Sequence, residues 1–272
     1  MRIFSLWILL LGGLLCSAES KIKIAVSIAP QAFFVQKIGG EYVEPIVLVP
    51  SGKNPEHYEP LISQMKLLKD SAIFFGIGLE FEGKWKERFL SVNKALEFVD
   101  LSHEKNADFH HREDSHIWLS LAFAREQARE ICAYLTRLDS AHASYYEENL
   151  RRFLGEIDAL DAKIKNLFAQ KGAQKTFVVY HPAFEALAQE YGLEELAIDM
   201  HNKEAKIKHM QELSSLIKAR NLKVIYTQPQ FSKKQVEILA REHGLQISSL
   251  DPFGADWLEN LWDIAQKIAH EK

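Results

Sequence analysis

The chain has 272 residues, of which 47% are hydrophobic and 26% charged, with a formal net charge of −4 at pH 7. It is long and apolar enough for one large domain or two lobes of ordinary size with buried cores, which excludes a disordered chain and a coiled coil. The mildly acidic balance shows no basic patch for nucleic acid, and with one of its two cysteines in the first 18 residues the chain cannot build a disulfide framework.

Arg2, the apolar stretch Ile3 to Leu15 and then Cys16-Ser17-Ala18 read as a secretory signal over residues 1–18. That stretch is too short to span a bilayer comfortably, and no later segment reaches about 20 consecutive apolar residues. Export is the expectation. A lipid anchor at Cys16 is disfavoured, because Leu15 stands where lipid attachment wants a small residue. Ile22 to Ile28 is a strand, and Gln31 to Ile38, stopped by Gly39-Gly40, a helix. An apolar run from Ile46 to Val49 leads through the loop from Pro50 to His57 into a helical segment with Leu61, Met65 and Leu68. Ala72 to Gly76 and Leu96 to Val99 are strands flanking a helix over Phe81 to Leu90. This β/α alternation predicts a parallel sheet with helices on its faces.

After a polar stretch rich in histidine and acid, Ile117-Trp118-Leu119 opens a helix, and Cys132 within the helical pattern reads as a buried apolar thiol. From Asp139-Ser140 to Gln170 the apolar positions Tyr146, Leu150, Phe153, Ile157, Leu160, Ile164 and Leu167 alternate gaps of four and three. The spacing predicts one long helix with a single apolar seam, roughly 45 Å for about 30 residues. The alternation then resumes with strands at Thr176 to Tyr180, Leu196 to Ile198, Leu222 to Thr227 and Gln246 to Leu250. Helices follow at Pro182 to Tyr191, Lys206 to Arg220, Ser232 to His243 and Asp256 to Ala269. The expected class is α/β: two lobes, residues 19–138 and 171–272, each with a roughly four-stranded parallel sheet and flanking helices, joined by one long rigid helix over 139–170.

Four groups with metal-ligand chemistry punctuate this pattern. His57, His181 and Asp251 each follow a predicted strand, and His116 opens a predicted helix. Open α/β sheets hold ligands outside the carboxyl ends of their strands, so the four are candidates for one buried metal site. Glu56 and Glu59 flank His57 closely; Glu56 is a possible oxygen ligand or a partner that orients an imidazole. His103, His110 and His111, with Asp108, Glu113 and Asp114, have the composition of a metal-attracting loop or of a plain polar connection. Asp251 before Pro252 also suits a turn, and His201 is either an auxiliary contact or a solvated loop histidine. Three imidazoles with one carboxylate suit tetrahedral zinc, whereas manganese prefers more oxygen.

The chain resembles the metal-specific solute-binding proteins of ABC importers, in particular their periplasmic zinc-uptake branch. The resemblance is carried in order by Pro55-Glu56-His57-Tyr58, Ser115-His116-Ile117-Trp118-Leu119-Ser120, Val179-Tyr180-His181-Pro182-Ala183-Phe184, Gln228-Pro229-Gln230-Phe231 and Leu250-Asp251-Pro252-Phe253-Gly254. It implies a binding protein and not an enzyme, acting as a monomer, with Zn2+ as cargo held between two lobes and delivered to a membrane permease. His57 and His116 would come from the first lobe, His181 and Asp251 from the second, with the fourth place open between Asp251, Glu56 and water. Manganese or iron import by the same class is the alternative. A secreted zinc hydrolase is the weaker one, since the chain has no His-Glu-x-x-His helix, no Gly-x-Ser-x-Gly elbow and no Cys-x-x-Cys pair.

Overall fold

The computed structural model describes residues 20–56, 58–102, 116–199, 206–231 and 234–270. The signal segment with Cys16, the histidines His57, His103, His110, His111 and His201, and the acids Asp108, Glu113 and Asp114 lie outside the described residues.

Short apolar runs pair into two parallel sheets. β1 (Ile22–Val26), β2 (Val43–Val47), β3 (Ile73–Gly76) and β4 (Glu97–Asp100) form the first, in the order β2-β1-β3-β4. β5 (Thr176–Val179), β6 (Glu194–Ala197), β7 (Val224–Thr227) and β8 (Gln246–Ser249) form the second, in the order β6-β5-β7-β8. All six pairings are parallel. The chain reverses its direction of strand addition between β1 and β3 and again between β5 and β7, and such a switch point opens a crevice at the carboxyl ends of the strands. Around the sheets run α1 (Ala29–Gly39), α2 (Ile62–Leu67), α3 (Glu80–Val92), α4 (Leu121–Leu138), α5 (Ala143–Ala169), α6 (Glu185–Tyr191), α7 (Lys206–Ala219), α8 (Lys234–His243) and α9 (Trp257–His270). Among the described residues no helix is long and apolar enough to cross a membrane.

Several boundaries differ from the sequence expectation, and three of them have a clear local reason. β2 begins at Val43 and contains Pro45, which an edge strand tolerates because one side of its ladder faces away from the sheet. Leu48 and Val49 still donate to Val26 and Ser27 at 3.0 Å, which makes the apolar run look like the strand itself. The helix expected from Ile117 is a 3-10 turn over Ile117–Leu119, after which Ser120 caps α4 by accepting from Phe123 N at 3.3 Å. α6 starts at Glu185, because Glu195 on β6 takes the amides of Ala183 and Phe184.

Two buried polar side chains hold the carboxyl ends of the first sheet. Gln31 on α1 accepts from Ser27 N at 3.1 Å and donates to Phe75 O at 3.1 Å. Glu82 on α3 accepts from Ile77 N (2.9 Å), Gly78 N (3.0 Å), Leu79 N (3.2 Å) and the Ser27 hydroxyl. Burial pushes the Glu82 carboxyl up to about 7, against the pull of those donors. Its unfolded value is the ordinary 4.5. The folded chain therefore binds a proton that the unfolded chain releases, so stability falls as pH rises from about 4.5 through about 7. In the protonated form Oε2 keeps the three amides while Oε1 donates to a turned Ser27 hydroxyl. Glu82→Gln reproduces that neutral arrangement. Thermal melts between pH 5 and 8 should show a declining midpoint in the parent and a flatter profile in the variant; parallel profiles would exclude Glu82 as the source.

One apolar cluster runs from the first sheet through α1, α4, α5 and α9 to one face of the second sheet, taking in Phe34, Phe74, Phe153, Trp257, Phe177 and Tyr226. The continuity follows from α5. Its buried seam, Tyr146, Phe153, Ile157, Leu160, Ile164 and Leu167, packs against α1, α4 and α9. A smaller cluster with Ile198, Leu213, Ile225, Val236 and Leu239 fills the opposite face of the second sheet. Trp257, fully buried at the start of α9, meets Phe34 of α1 edge to face at 4.9 Å.

Candidate metal centre

Among the described residues, Glu56, His116 and His181 bring one ligand atom each within 4.8 Å of one another. Each is placed by a different element. His181 leaves the end of β5 at the switch point beside β7. Gln228, just after β7, pins its backbone from both sides: His181 N donates to Gln228 Oε1 (3.3 Å) and Gln228 Nε2 donates to His181 O (2.6 Å). The ring is stacked on Phe231 at 4.7 Å. His116 ends the polar stretch and enters the 3-10 turn, with Trp118 at 5.1 Å and His181 at 5.6 Å between ring centroids. Both imidazoles are buried, at 4% and 3% exposure, in a pocket wall of Trp118, Phe231 and Phe253. A buried polar ring needs a partner, and here the two rings face each other and a carboxylate.

Glu56 supplies that carboxylate from the loop after β2. Asn54 turns the loop by accepting from Glu56 N at 2.9 Å. Glu56 Oε1 stands 3.0 Å from His181 Nε2, and His181 Nδ1 lies 3.8 Å from Asp199 Oδ2 on its other side. The hydrogen bond with His181 holds the Glu56 carboxyl down at about 2; burial opposes it, and the charges of His181 and His116 and a bond from Asn54 add to it. Glu56 is therefore an anion at any pH near neutrality. Two nitrogen donors and one anionic oxygen match the donor preference of zinc. A tetrahedral ion with bonds of 2.0–2.1 Å keeps its donors roughly 3.4 Å apart, so closure on an ion needs movements of no more than about 1–2 Å.

Asp251 stands outside this trio. Its Oδ1 accepts from Gln230 Nε2 at 2.9 Å and from Phe253 N at 3.0 Å, and its carbonyl accepts from Asn260 Nδ2 at 2.7 Å. The turn reading offered beside the ligand reading in the sequence describes that environment. Residues whose part was not legible as chemistry include Gln228, Phe231 and Glu195. Their only signal was membership of ordered motifs, because a side chain that holds a backbone or faces a ring has no distinguishing spacing.

The family model described as ZnuA, zinc-uptake complex component A, periplasmic, matches residues 24–270. The high-affinity zinc uptake system protein ZnuA of Bacillus subtilis (strain 168) is 26% identical over 255 residues, covering 86% of this chain and 79% of its own. The manganese ABC transporter substrate-binding lipoprotein PsaA of Streptococcus pneumoniae is 25% identical over 271 residues, with coverages of 90% and 86%. Among solved structures, a crystal structure of ZnuA superposes with a TM-score of 0.83 at 33% identity, covering 92% of this chain and 98% of that one. A zinc-bound ZnuA deletion mutant gives 0.85 at 34% identity, covering 92% and 97%.

Proposed function

Because the chain belongs to the periplasmic zinc-uptake component A family, we propose that it captures Zn2+ outside the inner membrane and delivers it to the permease of an ABC importer. At the coarser level it is a metal-binding, substrate-binding protein of a metal importer and not an enzyme. The observation that carries zinc is the convergence of His116, His181 and Glu56 donor atoms within 4.8 Å. His57, next to Glu56, is assigned as the third imidazole. Glu56 is preferred to Asp251 for the oxygen, since its carboxylate belongs to the converging trio and that of Asp251 does not.

Manganese is the competing cargo, as the Streptococcus pneumoniae relative is named for it. A nitrogen-rich shell disfavours manganese, which prefers oxygen. Competitive titration of the two ions at equal concentration, with the retained metal identified by elemental analysis, should find zinc; retained manganese would overturn the assignment.

Protons compete with the metal for imidazole nitrogens, whose ordinary pKa is about 6.5, so zinc affinity should fall as pH is lowered through that value. Glu56, held at about 2, stays ionised across the same range and adds no pH dependence there. Zinc titrations at pH 5 and pH 7.5 check this. Equal affinity at the two values would contradict imidazole ligation.

A further inference from the structure

The segment bearing His116 is bonded to the half of the molecule that bears His181. Glu190, near the end of α6, reaches across to the start of α4. Its Oε2 accepts from the Ser120 hydroxyl (3.1 Å) and Leu121 N (2.9 Å), and its Oε1 accepts from Ala122 N (3.2 Å). The first amides of a helix have no partner within the helix, and the helix dipole favours an anion there. A second clamp lies two residues from His116: Trp118 Nε1 donates to Pro252 O and Trp257 Nε1 donates to Trp118 O, both at 2.7 Å. From His181 the chain runs through α6 to Glu190, and from His116 through the 3-10 turn to Ser120. The Glu190 bonds close these two short arms into a ring.

Glu56 is mounted differently. Its segment is tied to the first sheet, through Tyr58 Oη donating to Gln64 Oε1 at 2.6 Å and Gln64 Nε2 donating to the carbonyl of Leu48. Taking Glu56, His116 and His181 as the metal site, we propose that Glu190 is a positioning residue for the ion. Its carboxylate fixes His116 against His181 as a preformed imidazole pair, to which Glu56 is brought from the first sheet. A sequence reading that groups His116 with the first half misses this, because the partners of residues 118–122 lie about 70 and 130 positions further along the chain.

The test uses the full chain with Glu190→Ala, Glu190→Gln and His116→Ala, reading zinc dissociation constants and the visible absorption bands of the Co2+-loaded protein well below each melting temperature. Glu190→Ala should raise the zinc constant by about tenfold, the lower end of losses for residues that orient metal ligands. It should also shift the Co2+ bands, which report ligand geometry and not fold stability. Glu190→Gln, keeping one acceptor oxygen, should fall between it and the parent, and it carries the test alone if the alanine variant does not fold. Wild-type zinc affinity with unshifted Co2+ bands in folded Glu190 variants, while His116→Ala loses zinc, would reduce Glu190 to a helix cap. Unchanged affinity in His116→Ala would instead remove the site assignment on which the proposal rests.

Discussion

Alanine in place of His181 is expected to raise the zinc dissociation constant by at least about tenfold, by the scale of measured losses at metal sites. His181 is the hub of the donor trio: it stands 3.0 Å from Glu56 and 5.6 Å, ring to ring, from His116. Its removal takes away a nitrogen donor. It also takes away the hydrogen bond that holds the Glu56 carboxyl at about 2, so that Glu56, still half-buried, loses its principal partner. The fold should survive, because Gln228 holds the backbone of residue 181 and not its ring. His181→Gln, which roughly keeps the volume beside Phe231 without an imidazole, separates ligation from packing. Competition against a chromophoric chelator measures both variants, and parent-like zinc affinity in either would take His181 out of the metal shell.

The largest stability effect is expected at Trp257. Its side chain is fully buried, meets Phe34 edge to face at 4.9 Å, and donates to Trp118 O at 2.7 Å. Truncation to alanine opens a cavity where α9 meets α1 and α5, at a cost of about 3–5 kcal/mol. For a chain of this size that corresponds to roughly 6–20 °C of melting temperature. Trp257→Phe keeps most of the apolar volume but leaves the Trp118 carbonyl without its donor, a cost of about 1–3 kcal/mol. Denaturant titration should rank parent, phenylalanine and alanine in that order. Equal stability of parent and alanine variant would mean that the shared cluster does not couple the two sheets.

The pattern of hydrophobic periodicity made the architecture legible. The short apolar runs and the four-three seam of α5 mark burial directly, so both sheets and the long helix could be read from the sequence, and the parallel sense from the β/α alternation. Less legible were places where a polar contact from elsewhere decides an element. Pro45 inside β2 argues against a strand until β2 is known to be an edge. The start of α4 at Leu121 depends on Ser120 and on Glu190, 69 residues further along, and α6 begins only after Glu195 has taken the amides of Ala183 and Phe184. The site divides in the same way. His116 and His181 stood out because histidine beside an apolar run is chemically conspicuous, and Glu56 because it neighbours a histidine. Gln228 and Glu190 act by holding backbone, and nothing in their own sequence neighbourhood announces that.

Zinc is proposed to sit among Glu56, His116 and His181, between the ends of the two sheets. Anomalous difference maps at the zinc and manganese absorption edges, from crystals grown with the two ions at equal concentration, test the ion and its place together. One zinc-edge peak is expected within about 2.0–2.2 Å of a Glu56 oxygen and of one nitrogen each from His116 and His181. A manganese-edge peak at that position, or a zinc peak bound elsewhere with the trio unchanged, would contradict it.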